Sequence, residues 1–176
     1  LAAIDLQDPA SEAHPGDTPD YTAHLSADAL QGKRIGVLRT HSGAGKDERI
    51  ERIVEESIKT LQAGGAEIVD PVEIDTSGAD DAEYQVLLYE FKADLNEYLR
   101  ASAAGIGSLH EIIAFNDAHA DTVMPIFGQD IFVEAENKGP LSDEEYLAAL
   151  ADSKRIMRDG IDAALRAHEL DALVAP

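Results

Sequence analysis

Apolar positions along this chain recur with two periods, and the period changes several times. Between Lys33 and Arg39, Ile35, Val37 and Leu38 lie between Gly32 and the run from Thr40 to Gly45, which predicts a short strand. Over residues 46–63, Ile50, Val54, Ile58 and Leu61, with Ile53 beside them, return every three or four positions and line one face of a helix. Gly64-Gly65 ends that helix with the chemistry of a left-handed stop. Ala66 to Ile74 carries Ile68, Val69, Val72 and Ile74, a second strand in which Pro71 marks an edge or a bulge. Strand, helix and strand at this spacing predict a βαβ unit with a right-handed crossover.

The rest of the pattern is mostly helical. From Asp80 to Ala101, Tyr84, Leu87, Leu88, Phe91, Leu95, Tyr98 and Leu99 form one stripe. Ser108-Leu109-His110-Glu111 is a capping box that opens a helix to about Val123, closed by Met124-Pro125. A short helix is predicted from Asp130 to Asn137, and Lys138-Gly139-Pro140 breaks the chain after it. Ser142-Asp143-Glu144-Glu145 is a second capping box, and it opens the longest helix, to about His168. Tyr146, Leu150, Met157, Ile161 and Leu165 are its inward positions; acids crowd its first turn and Arg155, Arg158 and Arg166 come later, as the helix dipole favours. Residues 171–175 read as a closing strand. The predicted class is therefore α/β, with a few-stranded, mostly parallel sheet and many helices. Residues 1–28 read as a linker after a helix end, since Pro9, Pro15 and Pro19 interrupt any regular element. Residues 29–176 are expected to form a single α/β domain. Leu1-Ala2-Ala3-Ile4 and the apolar final strand suggest a piece of a longer protein.

Charge narrows the possible partners. The net charge of −21 repels phosphate backbones and anionic lipid, so nucleic acid and membrane surfaces are not expected partners. The absence of cysteine removes disulfides, thiolate metal sites and cysteine nucleophiles. No apolar run reaches the ~18 residues of a membrane helix, and no charged and apolar leader is visible, so a cytoplasmic location is expected.

Candidate chemistry is sparse. Ser42-Gly43-Ala44-Gly45-Lys46-Asp47 lies between a strand and a helix, where phosphate loops occur. Its glycine spacing is wrong, and Asp47 and Glu48 stand where phosphate would bind, so it reads as a plain turn that takes no nucleotide. Asp117 and Asp121 share a helix face while His119 points away, so the three do not converge on a metal. Asp130, Glu134 and Glu136 are scattered in the same way, and His110 and His168 lie near helix ends. No Gly-x-Ser-x-Gly, Ser-x-x-Lys or Gly-Gly-Ser pattern supplies a nucleophile. Residue spacing alone thus describes an α/β segment without a complete catalytic site.

Several ordered blocks nevertheless resemble the amidase signature family. They are Ser108-Leu109-His110-Glu111-Ile112-Ile113-Ala114-Phe115-Asn116, Phe127-Gly128-Gln129-Asp130-Ile131-Phe132, Glu134-Ala135-Glu136-Asn137-Lys138-Gly139-Pro140-Leu141, and the closing Asp171-Ala172-Leu173-Val174-Ala175-Pro176. Leu30-Gln31-Gly32-Lys33-Arg34-Ile35-Gly36-Val37 agrees with them. The resemblance implies the amidase signature fold and hydrolysis of carboxamide C–N bonds by a Ser–Ser–Lys triad. No metal or organic cofactor is implied. No residue here matches the triad, so no catalytic position is carried over and the chain alone is expected to be inactive. The resemblance makes it the later part of such an enzyme, packing on the catalytic core and shaping the substrate funnel for a small amide. Phe127 and Gln129, on a loop bounded by Met124-Pro125 and turned at Gly128, are the expected substrate-binding residues. The alternatives at these positions are a ring that plugs the core and an amide that supports the next helix. A stand-alone, non-catalytic α/β binding module remains the rival for the whole chain. A homo-oligomer formed through an exposed core face is a further expectation.

Overall fold

The computed structural model describes residues 20–39, 47–102 and 105–175. Its elements are β1 (Arg34–Val37), α1 (Glu48–Ala63), β2 (Glu67–Val69), α2 (Ala79–Ala101), α3 (Leu109–Ala118), α4 (Ala120–Val123), α5 (Asp130–Glu136), α6 (Glu144–Ala167) and β3 (Ala172–Val174). The class is the one expected: helix-rich α/β with a small parallel sheet. The described residues belong to two compact units. One runs up to Glu73 and resumes at Leu165; the other spans Ile74 to Ala164. Residues 1–19 of the expected linker and residues 40–46 of the glycine-rich turn lie outside the described residues.

In the first unit, three parallel strands are ordered β2-β1-β3. Arg34, Ile35 and Gly36 stand opposite Glu67, Ile68 and Val69, while Ile35, Gly36 and Val37 stand opposite Ala172, Leu173 and Val174. Alternation puts Val37 and Val174 on the side of α1 and Gly36 on the other. A Cβ at Gly36 would lie 2.5 Å from Leu170 Cδ1 and 2.8 Å from Leu173 Cδ2, so glycine here lets two leucines close over the middle strand. Asp47 starts α1 by accepting a hydrogen bond from the Arg49 amide, and Gly65, at φ 94°, turns the chain into β2. β2 is shorter than the expected 66–74 strand. It stops at Val69, two residues before Pro71, which has no amide hydrogen to give the ladder.

Two carboxylates tie the strands. Asp171 accepts from the Arg34 amide (2.9 Å) and from Lys33 Nζ (2.8 Å), joining the start of β3 to the start of β1. Asp70 accepts the Arg39 guanidinium, with Nε–Oδ1 at 2.8 Å and a second bond from Nη2 to Oδ2. Glu55 of α1 reaches the same guanidinium at 2.7 Å. The Lys33 bond holds the Asp171 carboxyl below the usual carboxylate range, and the Arg39 bond does the same for Asp70.

In the second unit, Leu88, Leu109 and Ala135 make a buried cluster, with Phe91, Leu95, Ile113 and Phe132 against it. The rings of Phe91 and Phe132 sit 5.3 Å apart. Ser108 caps α3 by accepting from the Glu111 amide, and the Glu111 carboxylate returns to the Gly107 amide at 2.8 Å. The helix expected to reach Val123 is interrupted at His119, whose φ of −124° is not helical. His119 Nδ1 donates to the Phe115 carbonyl at 2.8 Å and its ring stacks on Phe115, a local side-chain bond that competes with continued helix. The stripe on α2 is only partly inward: Leu88 and Leu99 are buried, whereas Leu87 and Tyr98 are exposed. On α6, Tyr146 is buried and Ile161 is exposed.

Two outcomes follow for stability. A Cβ at Gly160 of α6 would lie 2.6 Å from the Asp75 carbonyl oxygen, a backbone atom that cannot rotate away. Gly160→Ala should therefore lose about 1–2 kcal/mol in urea denaturation, although alanine is the better helix former by about 1 kcal/mol. An unchanged or raised midpoint would show that the 75 loop yields. Asp70→Asn should cost about 1 kcal/mol near pH 7. A carboxyl held low in the folded state stabilises it above its unfolded value, and that gain disappears as pH falls through the folded value. The difference between wild type and Asp70→Asn should thus shrink below about pH 4. A difference that stays constant to pH 3 would contradict the pairing.

Candidate functional site

The segment between α4 and α5 is where an exposed aromatic side chain meets an anchored backbone. Met124 and Pro125 follow the end of α4, and α5 begins at Asp130. Gln129 fastens the loop to α3 through its whole side-chain amide. Its Nε2 donates to the Ile113 carbonyl (3.2 Å) and to Asp117 Oδ1 (2.6 Å), while Oε1 accepts from Asn116 Nδ2 (3.0 Å). Both amide hydrogens and one lone pair of the oxygen are used, so this side chain is fixed in position.

Phe127, two residues earlier, is 82% exposed, and its neighbour Ile126 is 81% exposed. A pocket of about 440 Å³ opens beside the ring, with Val123, Met124, Ile131 and Phe132 among its apolar walls and Asn116, Gln129 and Asp130 as its polar atoms. That volume lies within the ~300–1,000 Å³ of small-molecule sites. The two residues expected at the site therefore share one pocket, in different roles. Phe127 offers an unpacked face and is not buried in the core of the described residues. Gln129 supports the loop from below.

Other candidates from the sequence do not assemble. Among the described residues, no group of three His, Asp or Glu side chains could hold a metal. Asp117 is engaged with Gln129 and His119 with Phe115, so the two have separate partners. The glycine-rich turn lies outside the described residues up to Lys46; Asp47 serves as a helix cap. A polar cluster that the sequence did not single out joins Tyr89, Gln85, Lys138 and Glu145. Lys138 Nζ donates to Gln85 Oε1 (2.6 Å) and Glu145 Oε1 (3.2 Å), and the Tyr89 hydroxyl donates to Glu145 Oε2 (3.0 Å). Burial, helped by the Glu145 bond, pushes the Tyr89 hydroxyl up to about 12. The cluster is satisfied within itself and braces the turn after α5.

In the first unit, an apolar groove of about 500 Å³ runs between α1 and the sheet, lined by Ile50, Ile53, Val54, Ile58, Val37 and Val174. Ile50 and Ile53 are 46% and 64% exposed, so the stripe expected on α1 is only half used by its own unit.

The amidase family matches this chain over residues 1–176. The chain belongs to the amidase family. A probable amidase of Arabidopsis thaliana is 31% identical over 161 residues, covering 88% of this chain and 30% of its own length. The native peptide amidase of Stenotrophomonas maltophilia superimposes with a TM-score of 0.82 at 42% identity, over 100% of this chain and 36% of that one. An amidase family protein of Bacillus anthracis follows at 0.75 and 30% identity, over 98% and 34%. This amidase chain thus spans about a third of the length of these relatives, and the fold is that of amidase signature proteins.

The Gln129 clamp is testable in this amidase chain alone. Gln129→Ala leaves Asn116 and the Ile113 carbonyl without these bonds, which should cost about 1–3 kcal/mol. Amide exchange at Ile126 to Gly128 should accelerate by about tenfold or more for each 1.4 kcal/mol lost locally. Unchanged exchange there would mean that the loop is held by something else.

Proposed function

We propose that this chain is the part of an amide hydrolase that packs on the catalytic core and borders the substrate funnel with the 124–129 loop. In this reading the parent cleaves a carboxamide C–N bond through a serine acyl-enzyme, then releases the acid to water. Phe127 contacts the apolar portion of the amide, and Gln129 borders the funnel while holding the loop that presents the ring. The observation that carries the reading is an aromatic ring left more than four-fifths exposed on a loop fixed by three hydrogen bonds. A large apolar face on an anchored loop is suited to a partner that arrives, whether substrate or the rest of the enzyme.

The open groove along α1 supports the same reading. A parallel sheet is normally covered on both faces, and a self-sufficient module would close over Ile50 and Ile53. Its exposure favours a segment that packs on a larger body over the stand-alone binding module. The match to amidases over the whole chain, at about a third of their length, agrees.

The chain by itself should hydrolyse no amide, since residues acting as a unit leave little activity when all are missing. Turnover of any amide by the pure chain, abolished by a serine-directed inhibitor, would refute this. In a full-length parent, Phe127→Ala should lower kcat/KM for bulky apolar amides by about tenfold, the value of one aromatic contact. The exposed ring contributes little to folding, so Tm should move by no more than a degree or two, roughly what a surface change allows. Unchanged kcat/KM with a lowered Tm would make the ring structural and the funnel assignment wrong.

A further inference from the structure

We infer that the pocket beside Phe127 selects amides that carry a positive charge next to an apolar side chain, and disfavours those that carry a negative one. This rests on the reading of the 124–129 loop as part of the substrate funnel. The pocket walls are apolar: Val123, Met124, Phe127, Ile131 and Phe132. The stretch of chain that forms it carries one sign of formal charge. Between Leu109 and Asn137 the sequence has Glu111, Asp117, Asp121, Asp130, Glu134 and Glu136, and no lysine or arginine.

Asp130 belongs to the pocket lining and is exposed. No ion pair reaches it among the described residues. Asp117 lies one hydrogen bond away, through Gln129 Nε2. Lys92 and Lys138 are engaged elsewhere: Lys92 Nζ donates to the Glu136 and Lys138 carbonyls, and Lys138 Nζ to Gln85 and Glu145. Asp130, with Asp117 behind it, thus places carboxylate charge without an ion-paired cation beside an apolar floor. An apolar group with an adjacent ammonium or guanidinium gains on both counts. A carboxylate in the same place meets repulsion from Asp130 and Asp117.

The occupant is therefore an amide of hydrophobic and basic character, as in an amidated peptide with an aliphatic residue beside a lysyl or arginyl one. Polyanionic partners of the same size are excluded by the same field.

The test uses a full-length parent and three amidated dipeptides that end in leucinamide and begin with a lysyl, glycyl or glutamyl residue. The wild type should show kcat/KM in the order lysyl, glycyl, glutamyl, with about tenfold or more between the extremes at low salt, falling as ionic strength rises. Asp130→Asn, which keeps the side-chain shape, should narrow the lysyl-to-glutamyl ratio by about threefold, and Asp121→Asn, outside the pocket lining, by less. A ratio within twofold of one in the wild type, or a ratio unmoved by Asp130→Asn in soluble protein of unchanged Tm, overturns the charge selectivity. Hydrolysis of the glycyl substrate in those same assays keeps the amidase reading. Failure to hydrolyse any of the three overturns that reading itself.

Discussion

Strand β1 needs hydrogen-bond partners on both edges, and neither lies next to it in sequence. The chain returns to it once across α1, as β2, and again through β3 from residues 172–174, more than a hundred positions later. A buried strand left with open edges would hold unpaired amide and carbonyl groups, so these two returns are what make the first unit possible. Gly36 is the point at which they meet: with no side chain, it lets Leu170 and Leu173 lie directly over the middle of the sheet. Asp171 then locks the second return by accepting from both the backbone and the side chain of the β1 start.

The second unit answers a different constraint. Its buried cluster is small, with Leu88, Leu109 and Ala135 at the centre, and its loops are fastened by side-chain amides and carboxylates. Gln129 does this for the segment before α5, and Lys138 with Glu145 does it for the segment after. The 124–129 loop thereby holds Phe127 in the open without the ring itself being packed. Anchoring and exposure are divided between two residues two positions apart.

Much of this was legible along the chain. Helical periods located α1, α2, α5 and α6 to within a residue or two at their described ends, because amphipathic spacing and capping residues are local signals. Ser108 was recognisable as a cap from Glu111 three positions on, and both behave so. The break at His119 was not legible, since nothing in the spacing shows that an imidazole will bond back to Phe115. The outward turn of Leu87 and Tyr98 was hidden for a related reason: an apolar stripe indicates that a face is buried, not which neighbour buries it or how wide the contact is.

By itself, the sequence determined the class of fold, the order of its elements, the acidic character of the chain and the family it resembles, since each depends on residues near one another or on totals. The tertiary structure decided which strands pair, which carboxylates act as clamps and which apolar residues stay open. Those outcomes depend on contacts between residues far apart in the chain: Asp171 with Lys33, Gln129 with Ile113, Gly36 with Leu170. The separate roles of Phe127 and Gln129 belong to that second class. Both residues look equally available in the sequence, but only the fold spends the amide's hydrogen-bonding capacity on α3 and leaves the ring exposed.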